Sequence, residues 1–354
     1  MAMAQSSWMI SVFGGLSVVI ALVAVFGNSL ILAAIFYDRR LLTYTNCFIV
    51  GLAISDLCNG IEVGFRSVNT FMGYWPFGIV ACELLMFFAH YTVNVTYGLI
   101  LVIAVDRFRS IWNPFKHLQN KTLRFATCLI SSVYITLLFA IAFYLYLLPI
   151  MLGMELTFGN EICLTRYQGM ELINISIYFM LVTRYIPIIF TGVLYIVIYA
   201  IIIHRRILKK SSASALSMAV GDSHKTDLTT LQSDNQSCTK PEGLDIQQIH
   251  PQVRSPITEK KNIESGKRSN ARAQRTLTKI FLVLFLSSLP GVVVYTTHVL
   301  CNFCIPIGTI GNATVIIMHL SFAINPICYA TGNPLLRAGV INFLCQRKGV
   351  KQRP

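Results

Sequence analysis

The chain has 354 residues, 55% of them hydrophobic and only 12% charged, with a net charge of +14. Soluble domains usually carry about 25% charged residues. A mean hydropathy of +0.62 therefore excludes one large soluble core and favours repeated membrane spans. The ten cysteines show no dense spacing, which excludes a disulfide framework for the whole chain.

The first apolar run begins near Met9, with no Lys or Arg before it. It is too long for a signal-peptide core and lacks the basic start, so it is expected to be a retained first span. A spanning helix needs about 20 mostly apolar residues. Seven segments qualify: 9–36, 46–72, 82–111, 123–151, 173–204, 274–301 and 306–331. Most connections are short, as antiparallel neighbours require. One is long. Residues 211–270 are rich in Ser, Thr, Gln, Asp and Lys and hold no aromatic residue. They cannot bury enough apolar surface to offset ordering entropy, so disorder is expected. His224, Cys238 and His250 in that segment are too loosely spaced for a metal site. Beyond the seventh span, the stretch from Pro334 to Leu344 reads as an amphipathic helix on the inner membrane face. Cys345 follows it as a candidate for palmitoylation.

The expected organisation is a short extracellular N-terminus (1–8), spans one to five (9–209) and a disordered third inner loop (210–272). Spans six and seven (273–332) and an amphipathic helix with a cytoplasmic tail (333–354) complete it. The fold class is all-α: a seven-transmembrane helix bundle with a short eighth helix. Basic residues orient it. Only Arg166 falls in a loop on the side where even-numbered spans exit, while Arg66 and Arg184 lie inside spans. The remaining Lys and Arg lie in or beside the loops after spans one, three and five, or in the tail. The N-terminus is thus expected outside and the C-terminus in the cytoplasm. The positive charge then faces anionic lipid and an intracellular partner rather than nucleic acid.

The spans carry polar residues that lipid tolerates poorly. An Asp near a helix centre costs about 2.5–3.5 kcal/mol on insertion scales. Asp56 lies deep in span two and needs inward-facing partners; Asn28 and Asn325 are the candidates. The group reads either as a purely structural hydrogen-bond network or as a water or cation site that assists switching. Asp106 and Arg107 at the inner end of span three can neutralise one another. Pro187, Pro290 and Pro326 interrupt spans five, six and seven, removing backbone donors and offering hinges.

Several short motifs occur in order on these spans: Gly27-Asn28, Leu52-Ala53-Ile54-Ser55-Asp56, Trp75-Pro76-Phe77-Gly78, Cys82, Asp106-Arg107-Phe108, Pro187 with Tyr195, Pro290, and Asn325-Pro326-Ile327-Cys328-Tyr329. In this order and spacing the chain resembles the rhodopsin-like (class A) G-protein-coupled receptors across its whole membrane portion. The resemblance implies a disulfide between Cys82 and Cys163. It implies that activation releases Arg107 into a G-protein cavity toward which Tyr195 and Tyr329 swing. It also implies a sodium ion anchored by Asp56, with Thr96 and Ser321 as assisting residues, and no other cofactor. Heterotrimeric G protein, arrestin and receptor kinases are the implied intracellular partners, and the plasma membrane is the implied location. The chain departs from the family pattern in places. Phe108 replaces a Tyr, span four lacks its Trp (Tyr134 is nearby), and Ser287-Ser288-Leu289-Pro290 lacks the large ring that commonly senses ligand. No acid lies near Asn270 to hold Arg107 across the bundle, which implies a weaker inactive-state lock.

The outer half of the bundle is the expected ligand pocket. Amine receptors of this family have an Asp where this chain has Ala89, and opsins have a retinal-binding Lys where it has His319. Both ligand types lose their anchor here. Glu62 and Arg66 lie four apart on one face of span two; they read as a self-satisfied pair, or Arg66 is a ligand contact in the pocket. Arg184 has no acid nearby on its own span. It reads as an anion-facing contact, or as a partner of Glu171, Glu62 or a backbone carbonyl. His90, Asn94, Tyr178, Thr183, Tyr295, His298 and His319 are further pocket candidates. Cys301 and Cys304 suit a small local disulfide in the third outer loop. Cys47, Cys58, Cys128 and Cys328 are expected to be buried thiols. Of the Asn-x-Ser/Thr patterns, only Asn174 and Asn312 fall outside the interior, close to the membrane. The N-terminal segment is too short to grip a large protein hormone. A multi-pass transporter or channel is the alternative, although no repeated halves are visible. No nucleophile–base pair shares a helix face, so an enzyme is not expected.

Overall fold

The computed structural model describes residues 7–152, 156–158, 163, 165–167, 175, 178–226, 276–294, 296–297 and 307–349. Among the described residues, seven helices are long and apolar enough to cross a membrane: Ile10–Tyr37, Tyr44–Met72, Gly78–Trp112, Leu123–Met151, Tyr178–Leu208, Thr276–Val294 and Ile310–Gly332. These are spans one to seven below. They match the seven expected segments, with ends displaced by a few residues. Phe26, Phe139 and Leu286 point outward and are exposed, whereas Asn28, Asp56 and Asn325 are fully buried. That inside-out polarity is what a lipid surround requires.

Local chemistry sets the helix ends. The Thr43 hydroxyl accepts from the Asn46 amide and caps span two, and Thr122 caps span four through Phe125. Side-chain caps of this kind satisfy amides that the helix leaves unpaired. Span two stops at Gly73, which takes the left-handed conformation (φ 69°) that lets a helix terminate. Spans four and five each contain one π turn, Phe143–Leu147 and Leu181–Tyr185. Each ends two residues before a proline, Pro149 and Pro187. A proline cannot donate to the ladder, and the wider turn accommodates the break.

Small residues bring the spans close. Gly60 faces Ala24, and an added Cβ would lie 2.9 Å from the Ala24 methyl and 3.2 Å from the Val25 amide nitrogen. Gly64 lies one turn on, above Ala21. This is the small-xxx-small packing common between membrane helices. Gly98 likewise admits Val133 of span four. Tyr134 donates to the Gly51 carbonyl at 2.8 Å and its own carbonyl accepts from Tyr91 at 3.0 Å, so it ties span four to spans two and three.

Two short strands, β1 (Leu156–Phe158) and β2 (Thr165–Tyr167), pair antiparallel after span four with Thr157 opposite Arg166. The eighth helix, Pro334–Gly349, is present. It docks on the C-terminal end of span one, with Phe343 edge-on to Tyr37, and on the turn that follows (Arg39–Leu41), with Gly339 against Leu41.

One expectation needs correction. The helix containing span five runs from Ile186 to Thr226, so residues 211–226, expected to be disordered, are helical. Ala213, Ala215, Leu216, Met218 and Ala219 have enough helix propensity to propagate a helix already nucleated by the span. The rest of the expected disordered loop lies outside the described residues. By backbone contacts the chain divides into two units, residues 1–195 with 271–354, and residues 196–270. The sites below all lie in the first.

Candidate functional site

Three groups of inward-facing residues are stacked along the bundle. At its centre, Asn325 donates to Asp56 Oδ2 at 2.8 Å, and both residues are fully buried. Of the two expected partners of Asp56, the structure brings only Asn325 to it. Asn28 instead donates to the carbonyls of Ala24 (2.9 Å) and Phe322 (3.2 Å). The second bond has a clear cause. Pro326 lacks the N–H that would bond the carbonyl four residues earlier, which is that of Phe322, and Asn28 satisfies it from span one. Thr96 bonds Ser55 (3.0 Å) and the Thr92 carbonyl, while Ser321 donates to the Met318 carbonyl. Asp56 Oδ1, Asn28 Oδ1 and Asn325 Oδ1 are buried without a hydrogen-bond partner among the described residues. Unsatisfied oxygen acceptors suit a hard cation such as sodium. By that measure Asp56 with the adjoining Asn325 fits such an ion, whereas the Thr96 and Ser321 hydroxyls are engaged with protein partners.

Near the C-terminal end of span three, Asp106 gathers three partners. Tyr44 of span two donates to its Oδ1 at 2.5 Å, Arg107 Nη2 lies 3.2 Å from Oδ2, and His117 Nε2 lies 3.4 Å from Oδ1. Burial pushes the His117 ring below its ordinary value, against the pull of Asp106. Burial, then Arg107, lowers Lys121. Tyr44 and His117 escaped the sequence reading, since nothing in their local pattern points at a residue on another span. Tyr195, expected to move toward Arg107, stacks on Phe281 of span six with ring centroids 4.9 Å apart. Tyr329 is fully buried. Asn270 lies outside the described residues.

Toward the opposite end of the bundle from Asp106, a cavity of about 160 Å³ opens between spans three, five, six and seven. Its polar lining is Tyr97, Arg184, Tyr185, Ser288 and Thr314, and Met180, Val292 and Met318 contribute apolar wall. Arg184 projects from the π turn of span five and donates through Nε to Asn94 Oδ1 at 3.2 Å. Asn94 in turn donates to the His90 carbonyl at 2.6 Å. The Tyr97 hydroxyl and Ser288 Oγ lie 2.6 Å apart. A span-three ring thus fills space beside the place where span six lacks its large ring.

The other pocket candidates fall elsewhere. Arg66 pairs with Glu62. Ala89 and His319 are buried without lining the cavity, Thr183 donates back to the Phe179 carbonyl, and Tyr178 is 69% exposed. Tyr295, His298 and Glu171 lie outside the described residues, as do Cys301 and Cys304.

Cys82 and Cys163 are joined by a disulfide and pack with Trp75 and Met86. Cys47 and Cys328 are buried as expected, but Cys58 is only half-buried and Cys128 is exposed. Cys128 sits on an outward face that lipid would cover, a surroundings the apolar pattern alone does not separate from the core. Cys345 is exposed, as acylation would require.

Residues 27–329 match the family described as 7 transmembrane receptor (rhodopsin family). The chain belongs to this family. Muscarinic acetylcholine receptor M2 of Gallus gallus is 30% identical over 117 residues, covering 33% of this chain. The match spans 25% of that relative's length. As a rhodopsin-family receptor the chain is a multi-pass membrane protein. The centre, the inner cluster and the outer cavity occupy successive depths of one such bundle.

Proposed function

We propose that this receptor carries an extracellular chemical signal across the plasma membrane to a heterotrimeric G protein, with its N-terminus outside and its C-terminus in the cytoplasm. The observation that carries the reading is the Asp106 cluster. A permanent cation, Arg107, is held at the inner end by a carboxylate that Tyr44 and His117 also engage. Such an arrangement is bistable: the arginine is either tied to Asp106 or released toward a partner. Ligand in the outer cavity would shift spans five and six, whose Tyr195 and Phe281 are stacked, and so bias the inner cluster. A sodium ion anchored at Asp56, beside Asn325, would favour one of the two arrangements. Arrestin and receptor kinases are the further partners of this reading, and the protein has no catalytic activity of its own.

Acetylcholine, the ligand in the muscarinic relative's name, is not carried over. Ala89 stands where amine receptors place a counter-ion, and without one a quaternary amine loses its main electrostatic anchor. The test is expression of wild type and Arg107→Ala in cells carrying sensors for each Gα class. Wild type is expected to engage at least one class, and Arg107→Ala at matched surface level to lose that signal. Equal signals from the two would overturn the proposal.

A further inference from the structure

The outer cavity also bears on what chemistry the ligand has. A guanidinium inside a span is costly, of order 2.5–3.5 kcal/mol on insertion scales, and persists where it is paired or functional. Arg66 is paired with Glu62. Arg184 is different. Among the described residues it has no carboxylate partner, and its only hydrogen bond is from Nε to the neutral amide of Asn94. The guanidinium has five N–H donors, and among the described residues its Nη atoms have no hydrogen-bond partner; Arg184 lines the cavity together with Tyr97 and Ser288.

We infer that this cavity binds a small organic monocarboxylate, its carboxylate on Arg184 and its carbon skeleton against Met180, Val292 and Met318. The inference rests on the receptor reading for its biological meaning but not for its chemistry. One negative charge brings the cavity to neutrality. A dianionic phosphate would leave a net charge among apolar walls, which is expensive. The planar fork of Arg matches a carboxylate with two parallel hydrogen bonds. The volume, about 160 Å³, is below the roughly 300–1,000 Å³ of sites for drug-sized ligands, so the skeleton is a few carbons or one ring.

The experiment uses the full-length receptor purified in detergent. Its thermal stability is titrated with hexanoate and benzoate, with hexanamide and benzamide as uncharged isosteres, and with inorganic phosphate. At least one carboxylate is expected to raise the melting temperature saturably, while its amide and phosphate do not. Arg184→Gln should weaken that carboxylate by about ten-fold or more. Because Arg184→Gln could misfold, Asn94→Asp is the second variant. It places a carboxylate on the atom that Arg184 already contacts, so it should be as stable as wild type and insensitive to added acid. Amides matching their acids, phosphate outperforming carboxylates, no response to either acid, or an undiminished response in Asn94→Asp would each overturn the assignment. Nucleotide exchange on Gα, followed in the same preparation, keeps failure of the ligand chemistry separate from failure of the receptor reading.

Discussion

Tyr44 and His117 both reach Asp106 Oδ1 from outside span three. The Tyr44 hydroxyl reaches a buried carboxylate, and hydrogen bonds to charged groups contribute about 1.5–3 kcal/mol. Tyr44→Phe is expected to lower the melting temperature and, by loosening Asp106, to raise basal nucleotide exchange. Measuring both on one preparation separates this from simple misfolding, which would lower both. His117 gives a pH signature. Burial holds its ring below the ordinary value of 6.5, so the unfolded chain binds a proton more readily than the folded one. Its contribution is complete above about pH 6.5 and is lost as pH falls below that value. Thermal melts at about pH 7.5 and 5.5 should show a destabilisation on acidification that His117→Gln reduces. An identical acid sensitivity in His117→Gln would remove His117 from the account. At this scale the sequence shows only part of the site. Asp56 and Arg107 stand out because a charge in an apolar run is conspicuous. Tyr44 and Tyr97 do not, because aromatic residues are common in spans and only the crossing of helices aims their hydroxyls.

Between elements, the first two spans are spaced by Gly60. A side chain there would strike Ala24 and the span-one backbone, whereas at Gly64 the nearest atom is an ordinary 3.8 Å away. Gly60→Val is therefore expected to cost about 1–3 kcal/mol through overpacking and to cut surface expression, while Gly64→Ala is tolerated. Flow cytometry of tagged variants checks the contrast, and equal expression would contradict this packing. The Tyr97–Ser288 bond joins spans three and six at the cavity wall. Ser288→Ala leaves the Tyr97 hydroxyl without that partner, at about 1–3 kcal/mol, and Tyr97→Phe in the same background should restore part of the loss. A double-mutant cycle on melting temperature reads the coupling. The spans themselves were legible, since lipid demands long apolar runs. The helix through Thr226 was not: a polar composition argues against a packed core but does not stop a helix already started by a span. Asn28's true partner was likewise hidden, because it is a backbone carbonyl set free by Pro326 rather than a side chain.

Across the whole molecule, the Cys82–Cys163 disulfide closes a long loop, its ends 81 positions apart in sequence, and fastens the N-terminal end of span three to the segment between β1 and β2. Such bridges typically contribute about 2–4 kcal/mol. Cys82→Ser is expected to lower the melting temperature and to weaken carboxylate binding while leaving the apolar spans inserted. Fold class follows from composition and periodicity. The charge asymmetry of the loops argues for the orientation, and the ordered set of motifs places the chain in its family. Ligand identity does not follow from any of these. It depends on how four spans converge on a small cavity, and residues such as Arg184 and Ser288 are brought together there from distant parts of the chain.

The central claim, that the Asp106–Arg107 cluster gates a G-protein site, is tested most directly by nucleotide exchange on purified Gα subunits with the receptor in lipid nanodiscs. Tyr44→Phe serves as the activating background, so no ligand is needed. Exchange is expected to exceed the receptor-free rate for at least one Gα class, to be faster with Tyr44→Phe than with wild type, and to return to the receptor-free rate when Arg107→Ala is added. Exchange at the receptor-free rate for every Gα class, with wild type and Tyr44→Phe alike, would contradict it.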